Sequence, residues 1–370
     1  MRRPHSFTVV FTLAAALAVP LLLPLPALAQ DDAGSFDDRI VVEEVLLDAL
    51  VTDRKGNTVL GLGPQDFLVK EAGEPVNLTG VTFYSSSELL DDPGAIAGDI
   101  DTEPRDRTFI LLFEDQKRNQ TNVDLISRQL LAARDAARWI ETELAPADWV
   151  AVAGFDYELR IYQDFTRDRA ALTRAIGQVA KATGPDGNWR SRGGGENLDR
   201  SLRAHLPAGK ELSRETPRNY DALEWLARAS GHIPGRKNLI YFGLGFGEVD
   251  RNGIYRQDPR YYPPMARALN DNNVAVYALD ITPTNVRHAL ADSMSQLAQE
   301  TGGRYFERFV RFGAPLKEVS KENGGYYLLS YRTEHPAGDS GFQKVDVELK
   351  DPSLRLRVRK GYGWGDVDSE

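Results

Sequence analysis

The sequence contains no cysteine. That excludes disulfides, thiolate metal sites and cysteine nucleophiles, so any fold must be held by its hydrophobic core. Histidine is scarce as well, with five residues in 370. His5 lies in an apolar leader, and His205, His232, His288 and His335 occur in unrelated contexts with no His-Glu-x-x-His spacing. There is no Gly-x-Ser-x-Gly nucleophile elbow either. The expectation is that the chain is not an enzyme, with a carboxylate-dependent hydrolase as the enzymatic alternative. No strong excess of one charge is present: 45 basic against 54 acidic residues give a net charge of −9. Such an acidic, mixed surface argues against nucleic acid and anionic membranes as partners. Beyond the leader no apolar run is long enough to span a bilayer.

What is present begins with that leader. Met1-Arg-Arg precedes the apolar stretch from Phe7 to Leu28, and Ala27-Leu28-Ala29 is a small-residue cleavage pattern. Residues 1–29 therefore read as a signal peptide, with retention as an uncleaved anchor as the alternative. Cleavage removes Arg2 and Arg3 and no acid, moving the formal charge from −9 to −11. The expected location is secreted or periplasmic, in a bacterial cell envelope.

Residues 108–156 organise the rest. Thr108-Phe-Ile-Leu-Leu-Phe113 is apolar, short and rich in strand formers, as in a strand buried on both faces of a parallel sheet. A helix is expected next, capped by Thr121 or Asn122, with Val123, Ile126, Leu130, Ala133, Ala137 and Ile140 on its inner face. Trp149 to Phe155 is a second buried strand, closed by Asp156. Leu159 to Phe165 reads as an edge strand, Arg169 to Lys181 and Tyr220 to Ser230 as helices, and Ile233 to Phe242 as the approach to a third buried strand. Met265 to Asn272, Val274 to Asp280, Ala289 to Glu300 and Arg304 to Phe306 continue the alternation of helix and strand. Ligands of such sheets bind beyond the carboxyl ends of the strands, which points to Glu114 to Asn119.

On either side the pattern is one of short strands between Gly, Asn and Pro turns, from Ile40 to Tyr84 and again from Tyr326 to Arg359. Neither set makes a sandwich alone. The fold class is therefore an α/β domain with a mostly parallel sheet at 105–312. It is inserted into a discontinuous β-sandwich made of 39–87 and 324–364, with a linker at 88–104.

Several segments, in this order and spacing, resemble a von Willebrand factor A domain protein, and more closely the secreted VWFA-related family described from acidobacteria. They are Val51-Thr-Asp-Arg-Lys-Gly-Asn57, Leu62-Gly-Pro-Gln-Asp-Phe67, Phe109 to Asp115, Ile233-Pro-Gly-Arg-Lys-Asn-Leu-Ile-Tyr-Phe242, Leu297-Ala-Gln-Glu-Thr-Gly-Gly-Arg-Tyr305 and Val358-Arg-Lys-Gly-Tyr362. The resemblance implies a Rossmann-like fold and protein binding or adhesion rather than catalysis. It also implies a place for a metal-ion-dependent adhesion site, built from an Asp-x-Ser-x-Ser turn, a threonine and a further aspartate that together hold Mg²⁺.

This sequence departs from that pattern in all three loops. The first turn, Glu114-Asp-Gln-Lys-Arg-Asn119, has no serine; Gly193 to Asp199 has no threonine; and Gly243-Leu-Gly-Phe-Gly247 stands where an acid is expected. The metal site reads as degenerate and the expected cofactor is none, the alternative being Mg²⁺ held by Asp115, Asn119 and Glu196. Gly243 to Gly247 reads as a flexible loop, and Asp280 as a residue bonding backbone donors near Thr282. The partner is expected to be another protein. Its candidate contacts are Glu114, Asp115, Lys117, Asn119, Trp189, Arg190, Arg192, Phe246, Tyr255 and Tyr261, the aromatic and arginine side chains being types enriched in binding hot spots. A structural subunit of an envelope or extracellular assembly is the alternative role.

Overall fold

A computed structural model describes residues 40–86, 102–115, 123–181, 198–286, 288–336 and 340–365. In chain order the strands are β1 (Ile40–Thr52), β2 (Phe67–Glu71), β3 (Glu74–Val76), β4 (Leu78–Ser85), β5 (Thr102–Pro104), β6 (Thr108–Glu114), β7 (Trp149–Phe155), β8 (Leu159–Thr166), β9 (Lys237–Gly243), β10 (Glu248–Val249), β11 (Tyr255–Arg256), β12 (Val274–Asp280), β13 (Arg304–Phe306), β14 (Gly325–Pro336), β15 (Gly341–Leu349), β16 (Arg355–Arg357) and β17 (Gly361–Trp364). The helices are α1 (Val123–Thr142), α2 (Arg169–Lys181), α3 (Lys210–Glu215), α4 (Asn219–Ser230), α5 (Tyr262–Asp271), α6 (Ala291–Glu300) and α7 (Gly313–Glu322).

Six strands, in the order β13-β12-β9-β6-β7-β8, make the central sheet. All neighbours are parallel except β8, which runs antiparallel to β7. Numbered along the chain and read from β8, the order is 3-2-1-4-5-6, the doubly wound Rossmann arrangement. One face packs on α4, α5 and α6 through Leu223, Leu226, Met265, Leu269 and Leu297. The other packs on α1, α2 and α7 through Trp139, Ile140, Leu172, Ile176 and Leu316. Covering both faces explains why β6, β12 and the Leu239–Phe242 part of β9 read as apolar runs.

The flanking strands pair as the sequence implies. β1 runs antiparallel to β14, with Ile40 opposite Pro336 and Ala49 opposite Tyr327. β2 pairs with β15, Phe67 facing Leu349. The sheets β16-β1-β14-β4-β5 and β17-β15-β2-β3 enclose one core that includes Leu47, Phe67, Phe83, Tyr327, Leu329 and Val345.

The α1 helix corrects the expected face. Val123 is 70% and Leu130 44% exposed, while Leu125, Gln129, Ala132, Asp135, Ala136 and Trp139 are buried beside Ala133 and Ile140. Gln129 and Asp135 are polar residues held inside by partners. Arg311 grips the Asp135 carboxylate through two hydrogen bonds of 3.1 and 2.6 Å, and the Phe312 amide donates to it at 2.8 Å. Counting only apolar positions rotates the face away from them. The capping residues expected at Thr121 and Asn122 lie outside the described residues, and α7 has no counterpart among the sequence expectations.

Candidate functional site

In a doubly wound sheet the crevice opens where crossovers leave in opposite directions, here between β6 and β9. A cleft of about 810 Å³ lies there. Glu114 closes β6 and turns toward β9: its Oε2 accepts the Tyr241 hydroxyl at 2.7 Å and the Leu244 amide at 3.0 Å. Tyr241 is itself buried, and burial together with the adjacent Glu114 carboxylate pushes its ionisation well above the usual tyrosine range. Asp115 turns the other way, accepting from Gln129 of α1 at 3.3 Å, while its amide donates to Phe155 of β7 at 2.8 Å. The adjacent carboxylates thus serve opposite walls rather than converging.

The β7–β8 turn supplies the next wall. Asp156 pairs with Arg160 at 2.9 Å. Burial would lower the Arg160 pKa, but the Glu158 and Asp156 carboxylates outweigh it and raise the guanidinium further. Tyr157, at the tip, has φ of 76° and is 66% exposed. A bulky residue in the left-handed region is disfavoured by roughly 1–2 kcal/mol, so the turn presents this ring at a conformational cost.

Across the cleft, the Arg218 guanidinium lies 4.0 Å and that of Arg260 5.1 Å from the centre of the Tyr261 ring. Arg260 holds Asp258 by two bonds of 3.1 and 2.9 Å and keeps that carboxyl below its ordinary value. Behind them Tyr220 meets Phe246 edge-on, 4.9 Å between centroids.

Glu114, Asp115, Phe246 and Tyr261, expected from sequence, all line this cleft. Phe246 is only 5% exposed and contributes a wall, not a protruding anchor. Tyr255 stands on β11, with its ring carbon 2.5 Å from where a side chain on Gly247 would begin. Lys117, Asn119, Trp189, Arg190, Arg192 and Glu196 lie outside the described residues. The Gly243 to Gly247 loop, expected to be flexible, is packed. A side chain at Gly245 would meet the Leu290 carbonyl oxygen at 2.4 Å, and the Phe246 amide donates to Ser293 at 3.1 Å. Close approach, with φ of 88° at Gly245 and 107° at Gly247, accounts for these two glycines.

Asp280, at the carboxyl end of β12, accepts from the Thr282 amide at 2.8 Å as expected. It also bonds His288 Nε2 at 3.0 Å and the Tyr305 hydroxyl at 2.8 Å, two partners the sequence reading did not assign. Tyr157 and Arg218 were missed as well. The only local signal for Tyr157 was a bulky residue within the two-strand turn Phe155-Asp-Tyr-Glu-Leu159.

Among the described residues no three His, Asp or Glu side chains are grouped to hold a metal ion. Glu114 accepts two bonds on one oxygen, and Asp156 faces a guanidinium.

The chain matches no protein-family model and no curated protein. It is similar to several solved structures. Proximal thread matrix protein 1 from the mussel byssus is 12% identical over 59% of this chain and 48% of that one, with a TM-score of 0.38, so the chain spans about half its length. A von Willebrand factor type A protein from Catenulispora acidiphila is 10% identical over 85% of this chain and 71% of that one, TM-score 0.36. BatB from Bacteroides thetaiotaomicron is 15% identical over 59% and 97%, TM-score 0.33. The fold is carried by the strand order itself: residues 108–306 form a doubly wound, Rossmann-like α/β sheet of the kind that the von Willebrand factor A resemblance implies.

Proposed function

We propose that this chain is an exported protein-binding module whose partner docks on the loops at the carboxyl edge of the central sheet, without a metal ion and without catalysis. The observation that carries the reading is the cleft at the β6/β9 switch point, rimmed by Tyr157, Arg218, Arg260 and Tyr261. Tyr157 and the two arginines are exposed and Tyr261 is half-buried; together they supply contact area and directed hydrogen bonds, the chemistry of interface anchors. Export rests on the leader at residues 1–29; no described helix is long and apolar enough to cross a membrane. Metal independence rests on the donor set at the cleft, and the absence of catalysis on its divergent carboxylates.

Site-specific photocrosslinking tests this. A benzophenone side chain at position 157 or 261 should give a discrete protein adduct in the envelope or culture fluid of the producing cell. The adduct should disappear when Arg218 and Arg260 are both changed to Glu. The same group at Leu68, 38% exposed on the β-sandwich, serves as the control. Adducts at Leu68 alone, or at no cleft position, would sink the reading.

A further inference from the structure

A second cavity, of about 1000 Å³, shares no lining residue with the switch-point cleft. It lies between α5 and the β15–β17 pair. Phe342 forms one wall, 54% exposed. Its ring lies across Gly361 of the neighbouring strand, where a side chain would begin 2.3 Å from the ring. Pro263, Pro264 and Ala266 of α5 form the opposite apolar wall.

The polar rim has a definite sign. Arg228, Arg267, Lys344 and Lys360 line the cavity against two acids, Asp271 and Glu300, on a chain whose net charge is −9. Both acids are occupied. Glu300 accepts from Tyr262 at 2.6 Å and from Gln296 at 2.8 Å; Asp271 accepts from the Gly363 amide at 2.9 Å and from Arg267 at 3.4 Å. The lysines are differently placed. Lys344 has only an exposed pairing with Asp346, the kind that contributes little. The Lys360 ammonium makes no ion pair among the described residues. Lys344 also follows Phe342 by two, so both project from the same face of β15; Lys360 lies in the bend just before β17, where the Val345 amide bonds its carbonyl at 3.0 Å, so the two lysines reach the cavity from neighbouring segments.

An apolar slot with two solvent-facing ammonium groups at its rim, one of them held only by an exposed pairing, is complementary to an anion carrying an apolar body. We infer that this cavity is a binding site for a small organic anion of that class, its ring or chain between Phe342 and the α5 prolines and its acid group at Lys344 and Lys360. The inference is independent of the proposed protein-binding role.

The probe is 1-anilinonaphthalene-8-sulfonate, compared with its uncharged counterpart N-phenyl-1-naphthylamine. The full chain should bind the sulfonate saturably, one per molecule, and more tightly than the neutral dye. Lys344→Gln with Lys360→Gln should weaken the sulfonate about three- to tenfold, as two partly exposed charge contacts would, and leave the neutral dye unchanged. Phe342→Ser should weaken both dyes about tenfold through lost aromatic contact. A melting curve for each variant confirms folding. Absence of saturable binding overturns the inference, as does sulfonate binding that neither the double lysine change nor Phe342→Ser alters.

Discussion

The two ends of the central sheet handle charge in opposite ways. At the amino end Arg107 and Asp148 are 8% and 3% exposed and joined by two bonds of 2.8 and 2.6 Å, with the Ser320 carbonyl taking a third from the guanidinium at 2.9 Å. Lys237, 2% exposed, donates to Ile233 O at 2.9 Å, and Asp48 of β1 accepts from Asn273. At the carboxyl end Arg218 and Arg260 keep 45% and 71% of their side chains in solvent. A desolvated charge persists only with close partners, whereas a solvated one stays available to a ligand. The closed end therefore reads as scaffold and the open end as the surface that the proposed partner would meet.

The sharpest way to break this comparison is to remove one charge from each end. Arg107→Ala leaves Asp148 buried beside an empty space, and should lower unfolding free energy by about 3–5 kcal/mol in a denaturant titration. Arg218→Ala should change it by less than about 1 kcal/mol. Equal effects would mean that the two ends do not differ as described.

Next in size is Lys237. Burial lowers its pKa from 10.5 to about 8. The folded chain therefore binds fewer protons than the unfolded chain between about pH 8 and 10, so this group makes stability rise with pH across that window. Below pH 8 the charged, buried lysine opposes folding by on the order of 3 kcal/mol. Lys237→Met should be at least as stable at pH 7, and its advantage should shrink as pH climbs toward 10. A loss above about 1 kcal/mol at pH 7 would show that the Ile233 hydrogen bond and attraction to Asp48 outweigh desolvation.

This contrast also explains what the sequence reveals. β6, β7, β9 and β12 were legible because both of their faces are largely apolar, and the joining of the first and last strands into one β unit because neither set makes a sandwich alone; which strand pairs with which was not. The candidate cleft was placed by the strand-end rule, and Glu114, Asp115, Phe246 and Tyr261 do line it. What escaped depends on contacts distant in sequence. Asp135 is inside α1's face because Arg311 reaches it from 176 residues away. Gly245 and Gly247 look like loop softeners until Leu290 and Tyr255 are seen against them. The α7 helix was readable in principle: Phe312, Leu316 and Val319 recur at spacings of four and three, and all are buried.

Glu114 sharpens the comparison because it belongs to the open end yet is built in like the closed one. Glu114→Ala removes the acceptor for both the Tyr241 hydroxyl and the Leu244 amide. Leaving those donors short of a partner should reduce stability by about 1–3 kcal/mol. The loss should appear as a lower melting temperature, and Glu114→Gln, which restores an acceptor, should recover part of it. Full stability in Glu114→Ala would place this carboxylate with the free ligand-facing groups instead.

The smallest expected effect is that of metal. A divalent ion bound to the folded chain raises its melting temperature by mass action, contributing about 2.7 kcal/mol at a hundredfold excess over the dissociation constant. Melting the chain in EDTA and then in Mg²⁺, Mn²⁺ or Ca²⁺ should give no such rise. Asp115→Ala should behave the same way in every ion, because Asp115 faces Gln129 at 3.3 Å and Glu114 turns to the opposite wall. A rise that Asp115→Ala abolishes would replace the proposed direct recognition by side chains at the open end with recognition through a metal. The partner's contribution would then be a carboxylate completing the ion's coordination.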